Sequence, residues 1–170
     1  MDSADLLTDA FDRVREVVHD TVEGLSADDL AARPDPGGNT IAWLVWHLTR
    51  IQDDHLAGAA GTEQVWTADG WAERFALPFP PAATGYGHTA EDVAAVRAGA
   101  GELLGYHDAV HAATLRHLRT LDADALDRVV DASWTPPVTL GVRLVSVISD
   151  DLQHAGQAAF VRGLLRRRGE

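Results

Sequence analysis

Apolar side chains recur at helical spacing in four stretches of the chain. From about Ala4 to Leu25, the residues Leu6, Leu7, Ala10, Phe11, Val14, Val17, Val18, Thr21 and Val22 fall on one stripe with charges opposite, which predicts an amphipathic helix. Gly24 ends it, and Ser26 caps a short turn through Leu30. Arg33-Pro34-Asp35-Pro36-Gly37-Gly38 reads as a loop. Asn39 or Thr40 then caps a second helix to about Ala57, the most apolar of the set. The capping-box sequence Thr89-Ala90-Glu91-Asp92 opens a third helix, expected to reach Leu121, with Gly99, Gly101 and Gly105 as weak points. A short turn or helix follows over Asp122-Ala123-Asp124-Ala125-Leu126, then a connection through Trp134, Pro136 and Pro137. Thr139 caps the last helix, from Leu140 to about Arg167.

Between the second and third helices, from Gly58 to His88, the periodicity breaks. This stretch carries Trp66, Trp71, Phe75 and Phe79 among several prolines and glycines, with one short helix expected from Ala68 to Ala76. Connections this long in a compact domain are uncommon and often functional. Trp66, Trp71 and Phe75 suit an apolar lid, a dimer contact or a satellite core. The pattern predicts an all-α fold: a four-helix bundle with a long helix 2–helix 3 connection, forming one domain over residues 1–170. At most a pair of short strands fits beside it.

Composition removes several functions. Without cysteine there is no disulfide framework, no thiolate metal site and no cysteine nucleophile. Fourteen basic residues, all arginine, against 26 acidic ones give 14 − 26 = −12, which opposes phosphate backbones and leaves nucleic-acid binding unsupported. The terminal run Arg166-Arg167-Arg168 reads as a complement to a helix end. The acidic start Met1-Asp2-Ser3-Ala4-Asp5 does not suit a signal peptide, and no apolar run approaches the roughly 20 residues of a membrane span. A soluble, cytoplasmic protein is expected, and any metal must be held by His, Asp or Glu.

The last helix contains Asp150 and His154, four residues apart and about 40° apart on one face. Such a pair forms an internal hydrogen bond or contributes to a metal site. His47, in the most apolar helix, reads either as a hydrogen-bonded core histidine or as a third donor on which that pair converges, since ionisable groups facing a core need a partner or a metal. Two ligands from one helix and one from another leave an open position, the layout of a catalytic site. His107 and His111 form a rival i, i+4 pair on the third helix. Spacing alone does not choose between them.

The strings Asn39-Thr40-Ile41-Ala42-Trp43-Leu44-Val45-Trp46-His47-Leu48 and Asp150-Asp151-Leu152-Gln153-His154-Ala155-Gly156-Gln157 resemble the signatures of the DinB/YfiT-like superfamily of metalloenzymes. The resemblance implies a metal held by His47, Asp150 and His154, although Asp150 stands where that family commonly shows His or Glu. The runs Ile51-Gln52-Asp53-Asp54-His55, Gly61-Thr62-Glu63-Gln64-Val65-Trp66 and Gly87-His88-Thr89-Ala90-Glu91 resemble those of the small mycothiol S-transferases. That likeness implies one divalent ion, zinc first and nickel second. It further implies mycothiol or a similar small thiol as substrate, with a small electrophile as its partner. Arg50, Arg143, Trp43 and His55 are then expected on the substrate side and Asp54 behind the ligands. The plain alternatives are arginines paired with neighbouring acids, a core Trp43 and a solvated Asp54. A hydrolase or isomerase on the same scaffold, or a non-catalytic stress-response bundle, are the competing functions. A homodimer is the default assembly for such bundles.

Overall fold

The computed structural model describes residues 1–122 and 124–169, with side chains through residue 167. Ala123 of the expected turn, and the Arg168 side chain of the terminal arginine run, lie outside the described residues. Four long helices dominate: α1 (Ser3–Val22), α3 (Ile41–Ala60), α7 (Ala100–Leu118) and α8 (Leu140–Gly169). Both α1 and α3 pack against α7 and α8, so α1 lies diagonal to α3 and α7 diagonal to α8. The all-α bundle expected from the periodicity is the observed architecture. No helix among the described residues is long and apolar enough to cross a membrane.

Local chemistry explains where the elements begin and end. Asp2 and Asp5 form a capping box that opens α1, and Ser26 and Asp29 form one for the short α2 (Ala27–Ala31). Thr40 Oγ1 accepts from the Trp43 amide at 3.0 Å to start α3, which stops at Gly61 in the left-handed conformation. Residues 41–50 of α3 are all buried. A helix covered on every side needs apolar residues all round, and neighbouring helices together with the long connection supply that cover.

Two expectations need correction. The short helix expected over Ala68–Ala76 is two helices, α4 (Val65–Ala68) and α5 (Trp71–Phe75), hinged at Gly70 with φ of +71°. The expected third helix is broken into α6 (Ala90–Ala95) and α7, which ends at Leu118 rather than Leu121. The cause of the break is Val96: its backbone is extended, at φ −78° and ψ 97°, and its side chain is completely buried. Gly99 then serves as the extended residue before α7. After a 3₁₀ turn at Asp124–Asp127, β1 (Val129–Asp131) and β2 (Val138–Thr139) pair antiparallel and lead into α8.

Trp66, Trp71 and Phe75 resolve as core. Trp66 and Phe75 are buried, and all three rings pack around Tyr106 of α7. They fix the first half of the connection to the bundle rather than forming a lid.

The rival pair His107 and His111 is spent elsewhere. Thr49 Oγ1 donates to the Val45 carbonyl, so His107 Nδ1 donates to Thr49 Oγ1 at 3.1 Å. Complete burial pushes the His107 imidazole down to about 3 from 6.5. His111 Nε2 instead meets Asp12 of α1 at 2.8 Å. A depressed histidine destabilises the fold on the acid side: between about pH 3 and 6.5 the unfolded chain holds a proton that the folded chain refuses. Stability from this residue is complete above 6.5 and falls as pH drops, by up to about 1.4 kcal/mol per unit. Urea titrations of wild type and His107→Gln at about pH 7 and pH 5 check this. The wild type should lose more stability on acidification, and equal losses would contradict the assignment.

Candidate metal centre

His47 comes from α3 and Asp150 and His154 from α8, two helices in extensive contact. Each offers one ligand atom, and the three atoms lie within 4.8 Å of one another. His47 is 6% exposed, while His154 and Asp150 are half-buried. The cluster therefore sits at the rim of the core, reachable from one side.

The tautomers follow from the partners. His47 Nδ1 lies 2.6 Å from the Thr84 carbonyl oxygen. A carbonyl only accepts, so Nδ1 carries the proton and Nε2 is left with its lone pair. His154 Nδ1 donates in the same way to the Asp150 backbone carbonyl, at 2.9 Å. The two rings meet edge to face, with centroids 4.7 Å apart. Asp150 Oδ2 is 3.3 Å from His154 Nδ1, but that proton is directed to the carbonyl. This carboxylate oxygen is consequently buried without a hydrogen-bond partner. A buried, unpartnered carboxylate oxygen beside two free imidazole lone pairs is a donor set suited to a divalent cation.

The electrostatics agree. Burial holds His47 below its ordinary value, against the opposing pull of the Thr84 carbonyl. The Asp150 carboxylate raises His154 more than burial lowers it. Burial pushes the Asp150 carboxyl up, but the adjoining His154 ring and nearby His47 and His55 outweigh it and leave it low. At neutral pH the set thus holds one anionic carboxylate and, on binding a cation, two neutral imidazoles.

The wall around His47 comes from its own helix and from the connection. Trp43 stacks on His47, with centroids 4.6 Å apart and planes 12° apart, and presents its edge to His154. Its indole Nε1 donates to His88 Nδ1 at 3.2 Å. His88 in turn stacks on Trp46 and touches Phe79. The expected choice for Trp43 between core and wall dissolves, since it is 7% exposed and does both.

Gly85 makes this approach feasible. Its φ is +96°, and a Cβ added there would fall 2.7 Å from His47 Nδ1, 3.1 Å from Trp46 and 3.2 Å from Trp43. Gly85→Ala is expected to push the Thr84–Gly85 segment off His47 and break its carbonyl bond. Loss of such a supporting hydrogen bond lowers metal affinity about 10–100-fold. Metal titration monitored by calorimetry checks this, and wild-type affinity in the variant would refute the role given to Thr84.

Arg50, expected on the substrate side, spends its donors on the protein itself. It is fully buried. Its Nε donates to the Ala83 carbonyl at 3.1 Å and Nη2 to the Pro81 carbonyl at 3.2 Å. Nη1 donates to Gln64 Oε1 at 2.7 Å and to the Tyr106 hydroxyl at 3.2 Å. Asp53, 3.7 Å from Arg50, accepts from the Val65 and Trp66 amides and the Tyr106 hydroxyl. Arg50 thereby pins the chain immediately before Thr84. Asp54, expected behind the candidate ligands, accepts from Gln64 Nε2 at 2.8 Å and braces the same hub.

His55 and Arg143 lie near Asp150. Arg143 Nη1 donates to His55 Nδ1 at 3.2 Å and Nη2 to Asp131 Oδ2 at 3.1 Å. Burial and then the Arg143 cation hold His55 below its ordinary value. Asp150 feels His55 electrostatically, so this polar pair borders the carboxylate side of the cluster. Thr84 and Gly85 escaped sequence reasoning, because a backbone carbonyl and a missing Cβ leave no periodic signal. A cleft of about 400 Å³ between α3, α4 and α7 includes none of His47, Asp150 and His154.

Comparison with known proteins fits this geometry. A family model described as Mycothiol-S-transferase matches residues 6–167. None of the curated proteins matches the chain. A solved structure, that of a conserved protein from Enterococcus faecalis, aligns at a TM-score of 0.90 and 33% identity, covering 96% of this chain and 97% of the other.

Proposed function

The chain belongs to the mycothiol S-transferase family, and from that premise we propose that it joins mycothiol, or a similar small thiol, to an electrophile at a divalent metal held by His47, Asp150 and His154. The observation that carries the reading is the donor set itself: two imidazoles with Nε2 free and a buried carboxylate oxygen without a partner. Zinc suits these nitrogen and oxygen donors, with nickel as second choice. A bound divalent ion supplies positive charge that lowers the pKa of a thiol from about 8.5 and makes thiolate available at neutral pH.

The chain's own residues do the rest. Asp150 is the one charged member of the set, so it would offset only one of the two positive charges of a divalent ion held there. The Thr84 and Asp150 carbonyls fix both rings, which removes reorganisation when substrate binds. Trp43, Trp46, Phe79 and His88 build an apolar wall that keeps water off the His47 side. Arg143 and His55 form a polar rim suited to the hydroxyl groups of a sugar-based thiol. The electrophile then needs only an open approach to sulfur, as an alkyl halide, epoxide or activated double bond would have.

The test is thiol consumption with an alkyl halide, in metal-loaded and chelator-treated protein. Loss on chelation and recovery on adding back the metal are expected. Turnover of the electrophile at the same rate without thiol would overturn the reading and favour a hydrolase.

A further inference from the structure

Opposite charges line the cleft between α3, α4 and α7 without meeting. The cleft holds about 400 Å³ and shares no residue with the His47, Asp150 and His154 cluster. Glu63, just past the end of α3, and Asp69, at the end of α4, line one side of it, and Arg116 of α7 lines the other. Among the described residues, neither acid side chain nor the guanidinium has a hydrogen bond or ion pair with the chain. Charges of both signs that border one hollow and stay unpaired are held apart by it.

The walls between these charges are apolar. Leu56 and Val110 are 5% and 1% exposed, and Ala57, Ala60 and Ala113 open the hollow because their side chains stop at one methyl group. Apolar walls with a few polar groups, at about 400 Å³, are the form of a small-molecule site. Asp53 also lines the cleft, but the Val65 and Trp66 amides and the Tyr106 hydroxyl already occupy its oxygens. His117 adds an uncharged polar group. Its Nε2 is buried without a partner, and burial, then the Arg128 cation, holds the ring below its ordinary value.

We propose that this cleft is a second binding site, for a free α-amino acid with an apolar side chain, its ammonium beside Glu63 and Asp69 and its carboxylate on Arg116. Charge selects the occupant. An amine alone would leave Arg116 facing a like charge, and a carboxylate alone would meet Glu63 and Asp69. A zwitterion satisfies both sides. The guanidinium grips a carboxylate through paired N–H donors, and the C-terminal end of α3, whose Ala60 lines the cleft, favours the ammonium. The side chain is left to Leu56, Val110 and the alanines. The volume lies near the lower end of the range of about 300–1,000 Å³ for ligand pockets, which suits one residue rather than a peptide.

Calorimetric titration of the metal-loaded full chain tests this, with L-leucine and L-phenylalanine as probes. Isoamylamine and 4-methylpentanoate, which are leucine without its carboxylate and without its ammonium, serve as controls. Saturable binding of at least one amino acid is expected, with each truncated analogue of leucine weaker by about tenfold or more. Arg116→Gln, at an exposed position, should weaken the amino acid by about tenfold or more and leave isoamylamine unchanged. Glu63→Gln combined with Asp69→Asn should weaken the amino acid and not 4-methylpentanoate. Ala113→Phe should fill the hollow and remove binding, with far-ultraviolet circular dichroism as the check on folding. No saturable binding of either amino acid up to about 10 mM would overturn the proposal. So would isoamylamine binding as tightly as leucine, or wild-type affinity in folded Arg116→Gln. None of these readouts depends on the thiol chemistry.

Discussion

His154→Ala is expected to lose its bound divalent metal on dialysis while melting close to the wild-type temperature. The two effects separate because His154 does little for the fold. Its ring is half-buried, and its hydrogen bond runs to the Asp150 carbonyl on its own helix. Removing it leaves helix α8 intact and replaces a histidine near the surface with the best helix former. The metal loses far more. One of three donors disappears, and Asp150 loses the ring that holds its carboxyl low. Loss of a supporting hydrogen bond alone costs about 10–100-fold in affinity, so loss of a ligand should exceed 100-fold. Thiol transfer should fall in parallel. His47→Ala should lose metal equally but also lower the melting temperature, since it leaves a void beside Trp43. Elemental analysis of the dialysed variants checks both, and stoichiometric metal in His154→Ala would contradict the ligand assignment.

Arg50→Ala is expected to be the most destabilising single change near the site. The guanidinium is fully buried and donates to the Pro81 and Ala83 carbonyls, Gln64 and Tyr106. Its removal strands those acceptors and takes a cation from beside Asp53, whose carboxyl burial already pushes up. Breaking a buried charged pair by deleting one partner costs about 3–5 kcal/mol. For a chain of this size that corresponds to a fall in melting temperature on the order of 10 °C. Released from Pro81 and Ala83, the Thr84 carbonyl should also hold His47 less firmly, so metal affinity should weaken. Arg50→Lys keeps the charge but lacks the planar fork that reaches both carbonyls, and should recover only part of the loss. Thermal unfolding by circular dichroism checks this; a shift of a few degrees or less in Arg50→Ala would show that the hub is not what holds the connection.

The long helices were readable because burial on one stripe imposes a 3.6-residue period, as Phe11, Val14, Val18 and Val22 do in α1. The break before α7 was not, because Val96 continues the apolar pattern and only the packed structure shows it buried on extended backbone. The candidate cluster of His47, Asp150 and His154 was readable in part. Spacing paired Asp150 with His154, but the choice against His107 and His111 depends on what surrounds them: Thr49 takes one and Asp12 the other. Arg50 invited a substrate-binding role because an arginine one turn from a ligand is usually exposed. Its carbonyl acceptors lie more than 30 residues away, and such partners leave no trace in local sequence.

The absence of cysteine gives the central claim a direct spectroscopic test. Among the protein's own residues, the sole sulfur belongs to Met1, which is 96% exposed at the N-terminus. The measurement is the absorption spectrum of the Co²⁺-substituted protein before and after adding mycothiol. A sulfur-to-cobalt charge-transfer band that is absent from the protein alone and appears with the thiol, in wild type but not in His154→Ala, is the expected result. A cobalt-loaded protein whose spectrum stays unchanged at saturating thiol would contradict it.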